Sequence, residues 1–128
     1  MIKAIIFDLD NTLLDFIKMK QFAVKAAITA MNEAGLDVDE DKAYEDIFNL
    51  YMEKGWENQQ VFDDYLTQTV GEVSNKILAA GIVSYRRARE ATLLVYPNVN
   101  KTLIELIKIG IKLAVVSDAP SREAWMRL

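Results

Sequence analysis

Two short apolar runs stand near the ends of the chain, and between them the apolar positions fall at helical spacing. Ile2, Ala4, Ile5, Ile6 and Phe7 form a continuous run in which β-branched residues are frequent. Unbroken rather than alternating apolar character is what a strand covered on both faces requires, which is the parallel-sheet pattern. The run stops at the polar cluster Asp8–Asn11. A second run of the same kind, Ile111–Val116, stops at Ser117-Asp118-Ala119-Pro120.

Between them the period changes. Phe16, Met19, Phe22, Ala23, Ala26, Ala27, Ala30 and Met31 recur every three or four positions, and Gly35 stands where a glycine closes a helix. Asp39 or Asp41 is placed to N-cap a second helix with Tyr44, Ile47, Phe48 and Tyr51 on one stripe, ending at Gly55. Val61, Phe62, Tyr65 and Leu66 predict a third helix. A fourth runs from near Ser74 to near Leu94, with Gly81 inside it as a point of interruption. This proline-free block predicts a small helical bundle. Pro97 in Tyr96-Pro97-Asn98-Val99 then punctuates the chain. A helix bearing Leu103, Leu106 and Ile107 follows, ending before Gly110, and Ser121–Leu128 reads as the opening turns of another.

The order is therefore strand, helical insert, helix, strand, start of helix. Two strands of the buried type joined through a helical crossover predict an α/β fold with an open parallel sheet. Residues 1–15 and 95–128 belong to that sheet domain, and residues 16–94 form the helical insert. Ligands in such sheets bind outside the carboxyl ends of the strands, where both polar clusters fall. If the strands are neighbours, the clusters share one crevice.

Composition narrows the chemistry. The chain has 128 residues, 15 Lys and Arg against 19 Asp and Glu, and a net charge of −4, so no basic nucleic-acid footprint is expected. Cysteine and histidine are both absent. That excludes a disulfide framework, a thiolate nucleophile, a cysteine-ligated zinc site and a Ser-His-Asp triad. No apolar run approaches the ~20 residues of a membrane helix. Asp8 and Asp10 interrupt the start of the chain before a signal-peptide core could form, so a cytoplasmic protein is expected.

What remains is carboxylate, hydroxyl, lysine and arginine chemistry. Asp8 and Asp10 flank Leu9 at a strand end and reach one small volume. An ionised carboxylate there coordinates a hard cation or attacks an electrophile. Two such groups repel and need a shared proton or a divalent cation, and Mg²⁺ suits one or two carboxylates plus waters and a phosphate. Ser117 is placed to hydrogen-bond a phosphate oxygen, with the backbone N–H groups of a helix start just after it. Taken alone, the aspartate pair also fits a solvated turn formed by Asp10 and Asn11.

The longer string Phe7-Asp8-Leu9-Asp10-Asn11-Thr12-Leu13-Leu14, directly after a buried strand, resembles the first signature motif of the haloacid dehalogenase (HAD) superfamily. Ala114-Val115-Val116-Ser117-Asp118 resembles its second motif, and Tyr96-Pro97-Asn98-Val99 the re-entry into the core ahead of it. The resemblance implies a Rossmann-like core with a helical cap inserted after the first motif. It implies that Asp8 is the nucleophile, forming an aspartyl-phosphate. Asp10 would protonate the leaving oxygen and then deprotonate the hydrolytic water. Mg²⁺ would contact the Asp8 carboxylate and the Asp10 backbone carbonyl. Ser117 and the Asp118 N–H would hold the phosphoryl group, and Thr12 would support the loop. Dehalogenases and phosphonatases of the superfamily lack an acid at position 10, so Asp10 implies a phosphate ester, whose leaving group needs a proton. The expected activity is Mg²⁺-dependent phosphatase action on a small phosphorylated metabolite, with no nucleic-acid or membrane partner. A sugar phosphomutase of the same superfamily and a non-catalytic binding module are the alternatives.

Other residues carry two readings. Arg86, Arg87 and Arg89 are either a cap contact to an anionic substrate or a solvated face with Glu90 pairing to Arg86; the second is the commoner use of such a cluster. Trp56, Tyr44, Phe48, Tyr51 and Phe62 either line a substrate pocket or fill the bundle core, and core filling is favoured. Asp15 either orients the loop leading into the cap or is a plain helix cap, the second favoured, and Asp118 reads as a cap for the helix that Pro120 begins.

The tail departs from the resembled pattern. No lysine and no carboxylate but Glu123 follow Asp118, so the third and fourth motifs are missing, and Arg122 lies too near Ser117 to replace the lysine. Two strands apolar on both faces are not buried by one crossover helix and a cap. The expectation is the N-terminal part of a larger enzyme, inactive or nearly so alone and prone to self-associate through its open sheet.

Overall fold

In the computed structural model, which describes residues 1–128, strand β1 (Ala4–Phe7) precedes helices α1 (Phe16–Glu33), α2 (Glu40–Lys54), α3 (Val61–Val70), α4 (Asn75–Thr92) and α5 (Val99–Lys108); strand β2 (Lys112–Val115) and helix α6 (Ser121–Arg127) complete the order. The strands pair in parallel, from Ala4 opposite Lys112 to Phe7 opposite Val115. No helix is long and apolar enough to cross a membrane. The chain divides into two compact units, Met1–Met19 with Leu93–Leu128, and Lys20–Thr92. The sequence pattern puts the first division at Asp15; the first turn of α1 goes instead with the strands.

The strand unit is built on Leu9, Leu13 and Leu14, all buried, with Phe7, Leu93, Val99 and Ala124 packed against them. Its strands are not covered on both faces. Residues along β1 alternate between exposed and half-buried, and Ile6 and Val116 are 67% and 64% exposed. Of the strand unit's helices α5 packs on β2, and the residues of both strands stay exposed or half-buried. The strands are also shorter than the apolar runs, since Ile2 and Val116 lie outside the ladder. Just beyond β1, Asp15 N donates to Leu94 O at 3.0 Å and Tyr96 N to Leu13 O at 3.0 Å, closing a short antiparallel bridge between Leu14 and Val95. The chain therefore leaves this unit and returns to it through two hydrogen-bonded segments.

The helical unit follows its apolar stripes. α1 ends in a Schellman motif: Leu36 N donates to Met31 O and Gly35 N to Asn32 O, both at 3.0 Å, with Gly35 at φ 114°. Asp39 caps α2, accepting from Lys42 N at 2.8 Å, so Asp41 is not the cap. Gly81 does not interrupt α4. A Cβ there would sit 2.8 Å from Met31 Cγ, so glycine lets the helix pass close to the fully buried Met31. Tyr44, Tyr51, Phe48, Trp56 and Phe62 fill the bundle, with Tyr44–Phe48 centroids 4.5 Å apart and Tyr51–Trp56 stacked at 6.1 Å.

Lys20 is the one charged residue among the buried set, 3% exposed. Its Nζ donates to Trp56 O and to Tyr85 Oη, both at 2.7 Å, and lies 3.7 Å from the Tyr51 ring centroid. Burial, with the Tyr85 hydroxyl adjoining, pushes the Tyr51 phenol far up, so its ring meets Lys20 as a neutral π-face. Replacing Lys20 by methionine keeps an apolar stem but removes the donor to the Trp56 carbonyl and the Tyr85 hydroxyl, both of half-buried residues. A loss of about 1–3 kcal/mol is expected in urea unfolding. An unchanged midpoint would show that these contacts contribute nothing net.

Candidate functional site at the carboxyl ends of the strands

The parallel register decides what meets at the strand ends. Phe7 lies opposite Val115, and Val116 N donates to Phe7 O at 2.9 Å. One step further along each chain come Asp8 and Ser117. The Asp8–Asn11 loop and the Ser117–Ala119 turn therefore both leave the sheet at its carboxyl end, where the pattern of strands expects a shared site.

The first loop is wound tightly around one buried carbonyl. Leu9, 1% exposed, anchors it, and Leu9 O accepts from the N–H groups of Thr12, Leu13 and Leu14 at 3.4, 3.0 and 3.2 Å. Asn11 N closes the loop onto Leu14 O at 2.8 Å, with Asn11 at φ 59°. Asparagine tolerates that left-handed conformation better than most side chains. Its Oδ1 also accepts from Ile17 N at 3.2 Å, while Asp15 Oδ1 accepts from Lys18 N at 3.2 Å. Both side chains cap α1, so the helix start and the loop hold each other in place, and Asp15 is a cap.

Asp8 is exposed at the head of this loop, with Oδ1 accepting from Leu9 N at 2.9 Å. Thr12 is also exposed and enters the loop through its backbone N–H. Asp10 is turned inward. Its Oδ2 accepts from Arg127 Nη1 at 2.7 Å, with the two side chains 23% and 4% exposed. Arg127 lies at the end of α6, and its guanidinium stacks over the Phe16 ring at 4.9 Å. No feature of the motif spacing points to it. The only sequence signal is that Arg127 lies three positions after Ala124, on the helix face that packs against Leu9, Leu13 and Leu14.

On the second strand Ser117 is half-buried and its Oγ accepts from Ala119 N at 3.1 Å. Two expectations are corrected here. The helix does not open directly after Ser117: Pro120 is its N-cap residue and α6 begins at Ser121, because the serine turn takes up the intervening residues. Asp118 is exposed and does not cap α6, which has no side-chain cap. Arg86 and Arg87 lie exposed on α4, and no ion pair joins Arg86 to Glu90 among the described residues. Arg86 and Arg89 instead border a cleft of about 80 Å³ together with Lys20, Trp56 and Tyr85. The larger cavity of the strand unit, about 610 Å³, is an apolar hollow lined by Phe7, Val115, Ser117, Ala124 and Trp125, and neither aspartate lines it.

The donors at the strand ends are all hard oxygen: the exposed Asp8 carboxylate and the main-chain carbonyl of Asp10, whose side chain is held by Arg127. No group of three or more carboxylates gathers among the described residues. Such a sparse oxygen set suits Mg²⁺, which keeps several waters and takes substrate phosphate as a ligand, better than Ca²⁺, which seeks six to eight oxygens.

A family model described as a haloacid dehalogenase-like hydrolase matches residues 2–128. Among curated proteins, the glyceraldehyde 3-phosphate phosphatase of Methanocaldococcus jannaschii is 35% identical over 128 residues, covering 100% of this chain and 56% of that protein. The enzyme of the same name from Methanothermobacter thermautotrophicus is 36% identical over 129 residues, covering 100% and 57%. The chain thus spans about half the length of the curated relatives it matches. Among solved structures, a HAD family hydrolase from Deinococcus radiodurans, with bound phosphate and sodium, superimposes with a TM-score of 0.61 at 18% identity, covering 98% of this chain and 50% of that one. The HAD-hydrolase YfnB from Bacillus subtilis, bound to magnesium, gives a TM-score of 0.59 at 20% identity, covering 99% and 57%.

Proposed function

Because this chain belongs to the haloacid dehalogenase-like hydrolase family, we propose that it forms part of a Mg²⁺-dependent phosphatase acting on a small phosphorylated metabolite. The observation that supports this most is the strand register, which sets the Asp8–Asp10 loop beside Ser117 at the carboxyl ends of β1 and β2. The names of the curated relatives favour hydrolysis over phosphoryl return to a sugar and make a three-carbon aldehyde phosphate the first substrate to test.

In this reading Asp8, exposed at the loop head, attacks phosphorus with one carboxylate oxygen, and the bond from phosphorus to the ester oxygen breaks. Asp10 gives its proton to that oxygen, so the alcohol leaves neutral. Asp10, now a carboxylate, takes a proton from water as the water attacks the aspartyl-phosphate. Inorganic phosphate departs and the Asp8 carboxylate returns. Ser117 Oγ and the Asp118 N–H bind the phosphoryl oxygens, and Thr12 keeps the loop closed through its backbone. Members of this family generally use Mg²⁺; the Asp8 carboxylate and the Asp10 carbonyl would hold the ion, which would offset charge on the phosphoryl oxygens. Lys20–Thr92 is the cap, inserted between the two core segments.

The full-length protein is expected to release phosphate from p-nitrophenyl phosphate and from glyceraldehyde 3-phosphate with Mg²⁺. Chelation should stop the release and added Mg²⁺ restore it. Release that survives chelation, or none with either ester, would contradict the proposal.

A further inference from the structure

Asp10 is drawn inward, away from the work that the phosphatase reading gives it. Its Oδ1 is buried out of reach of solvent, and its Oδ2 accepts from Arg127 Nη1 at 2.7 Å. From this position the carboxyl group cannot reach an ester oxygen outside the loop, because one of its oxygens is enclosed and the other meets a cation. The cation is enclosed as well. The Arg127 side chain is 4% exposed, and its guanidinium lies over the ring of Phe16, itself 5% exposed. Asp8, two positions earlier, stands exposed at the loop head. Two aspartates of one short loop are thus in opposite states, the nucleophile of the phosphatase reading presented and its acid withdrawn. Exposed ion pairs hold little, because either partner swings into solvent at small cost. Here both groups are largely enclosed, so drawing Asp10 away gives up a charge-assisted hydrogen bond beside a buried cation, and the inward arrangement is favoured until something competes for the carboxyl group.

We infer that the Asp10–Arg127 contact is a latch: it keeps the acid withdrawn in the resting protein and opens when a phosphate ester occupies the strand ends. The inference rests on the phosphatase reading. The moving part is the Asp10 side chain, turning between staggered rotamers, because the backbone around it is pinned: Leu9 is 1% exposed, and its carbonyl accepts from the N–H groups of Thr12, Leu13 and Leu14. The latch itself is set from far away in the chain, since Arg127 lies 117 positions after Asp10. A ligand shifts such an equilibrium only through what it offers one state and not the other. The ester offers its leaving oxygen as a partner to the turned-out carboxyl group alone. The apparent affinity for the reacting arrangement is then lowered by the fraction of molecules in which Asp10 is withdrawn.

Crystal structures of the full-length protein, without ligand and with Mg²⁺ and orthovanadate, are expected to differ at this contact. Without ligand, Asp10 Oδ2 should lie within about 3 Å of Arg127. With vanadate, the Asp10 carboxyl group should meet a vanadate oxygen and stand more than about 4 Å from Arg127, beyond ion-pair distance. A contact that persists with vanadate, or is absent without it, would overturn the latch. The kinetic arm is Arg127→Met, which keeps a stem over Phe16 and removes the donor. Per folded enzyme, kcat/KM on glycerol phosphate is expected to rise about three- to tenfold, as the competent fraction grows. On p-nitrophenyl phosphate, whose phenolate leaves without a proton, it should change by less than about twofold. In an Asp10→Asn background the same substitution should bring no rise. A purely structural ion pair predicts no selective gain, so a fall on the alkyl ester, or equal changes on both, would also overturn the proposal. Should Arg127→Met not fold, the two crystal structures decide alone. A wild-type protein that cleaves neither ester would overturn the phosphatase reading, whereas a missing contact in the ligand-free structure would sink the latch and leave that reading standing.

Discussion

Asp8→Asn is expected to reduce phosphate release by the full-length protein by at least about 10⁴-fold, the scale on which enzymes lose their nucleophile. The amide is nearly isosteric with the carboxylate, and the acceptor role of Asp8 Oδ1 toward Leu9 N at 2.9 Å is one that an amide oxygen keeps. The loop, whose shape comes from Leu9 O and Asn11 rather than from Asp8, is therefore expected to stay folded. Activity and structure should separate cleanly: a large kinetic loss with the thermal midpoint within a few degrees of wild type. A variant that keeps wild-type rates would place the nucleophile elsewhere.

Asp10→Asn gives the second large effect, and its form is more informative than its size. An amide cannot donate the proton that an alkoxide needs, so kcat/KM on an alkyl phosphate is expected to fall by about 10²–10⁴-fold. On p-nitrophenyl phosphate the first step should run nearly unhindered and the second stall, since no carboxylate remains to accept the proton of water. The signature is a burst of p-nitrophenolate close to one equivalent of enzyme, followed by a slow steady rate, read by stopped-flow absorbance. Loss of the burst together with equal falls on both esters would contradict the acid–base role. The same substitution removes a charge facing the buried Arg127, so a lower stability than that of Asp8→Asn is expected.

The architecture was legible because its signals are local. The continuous apolar runs located both strands, the three-and-four spacing located the helices, and Gly35, Asp39 and Gly55 marked helix ends through well-defined cap geometry. The first loop was legible as a motif, and its winding around Leu9 O explains why a buried leucine must separate two polar aspartates. What the pattern missed depends on tertiary placement. Gly81 looked like an interruption because helix propensity is counted residue by residue, whereas its use is set by Met31 on another helix. α6 is the sharper case. Its Arg127 side chain, only 4% exposed, turns toward Asp10 and lies over Phe16, residues more than a hundred positions away that no local pattern links to it. The start of α6 at Ser121 was legible, because Pro120 marks it; the turn closed by Ser117 Oγ and Ala119 N ahead of it was not.

The account stands or falls on Asp8 as the residue that carries the phosphoryl group. The most direct measurement is peptide mapping by mass spectrometry of the full-length protein, quenched in acid during turnover of p-nitrophenyl phosphate with Mg²⁺. The predicted result is one added phosphoryl group on the peptide containing Phe7–Leu14, localised to Asp8, increased in Asp10→Asn and absent in Asp8→Asn. A phosphoryl group on any other residue, or steady turnover in an Asp10→Asn protein that never carries one, would contradict it.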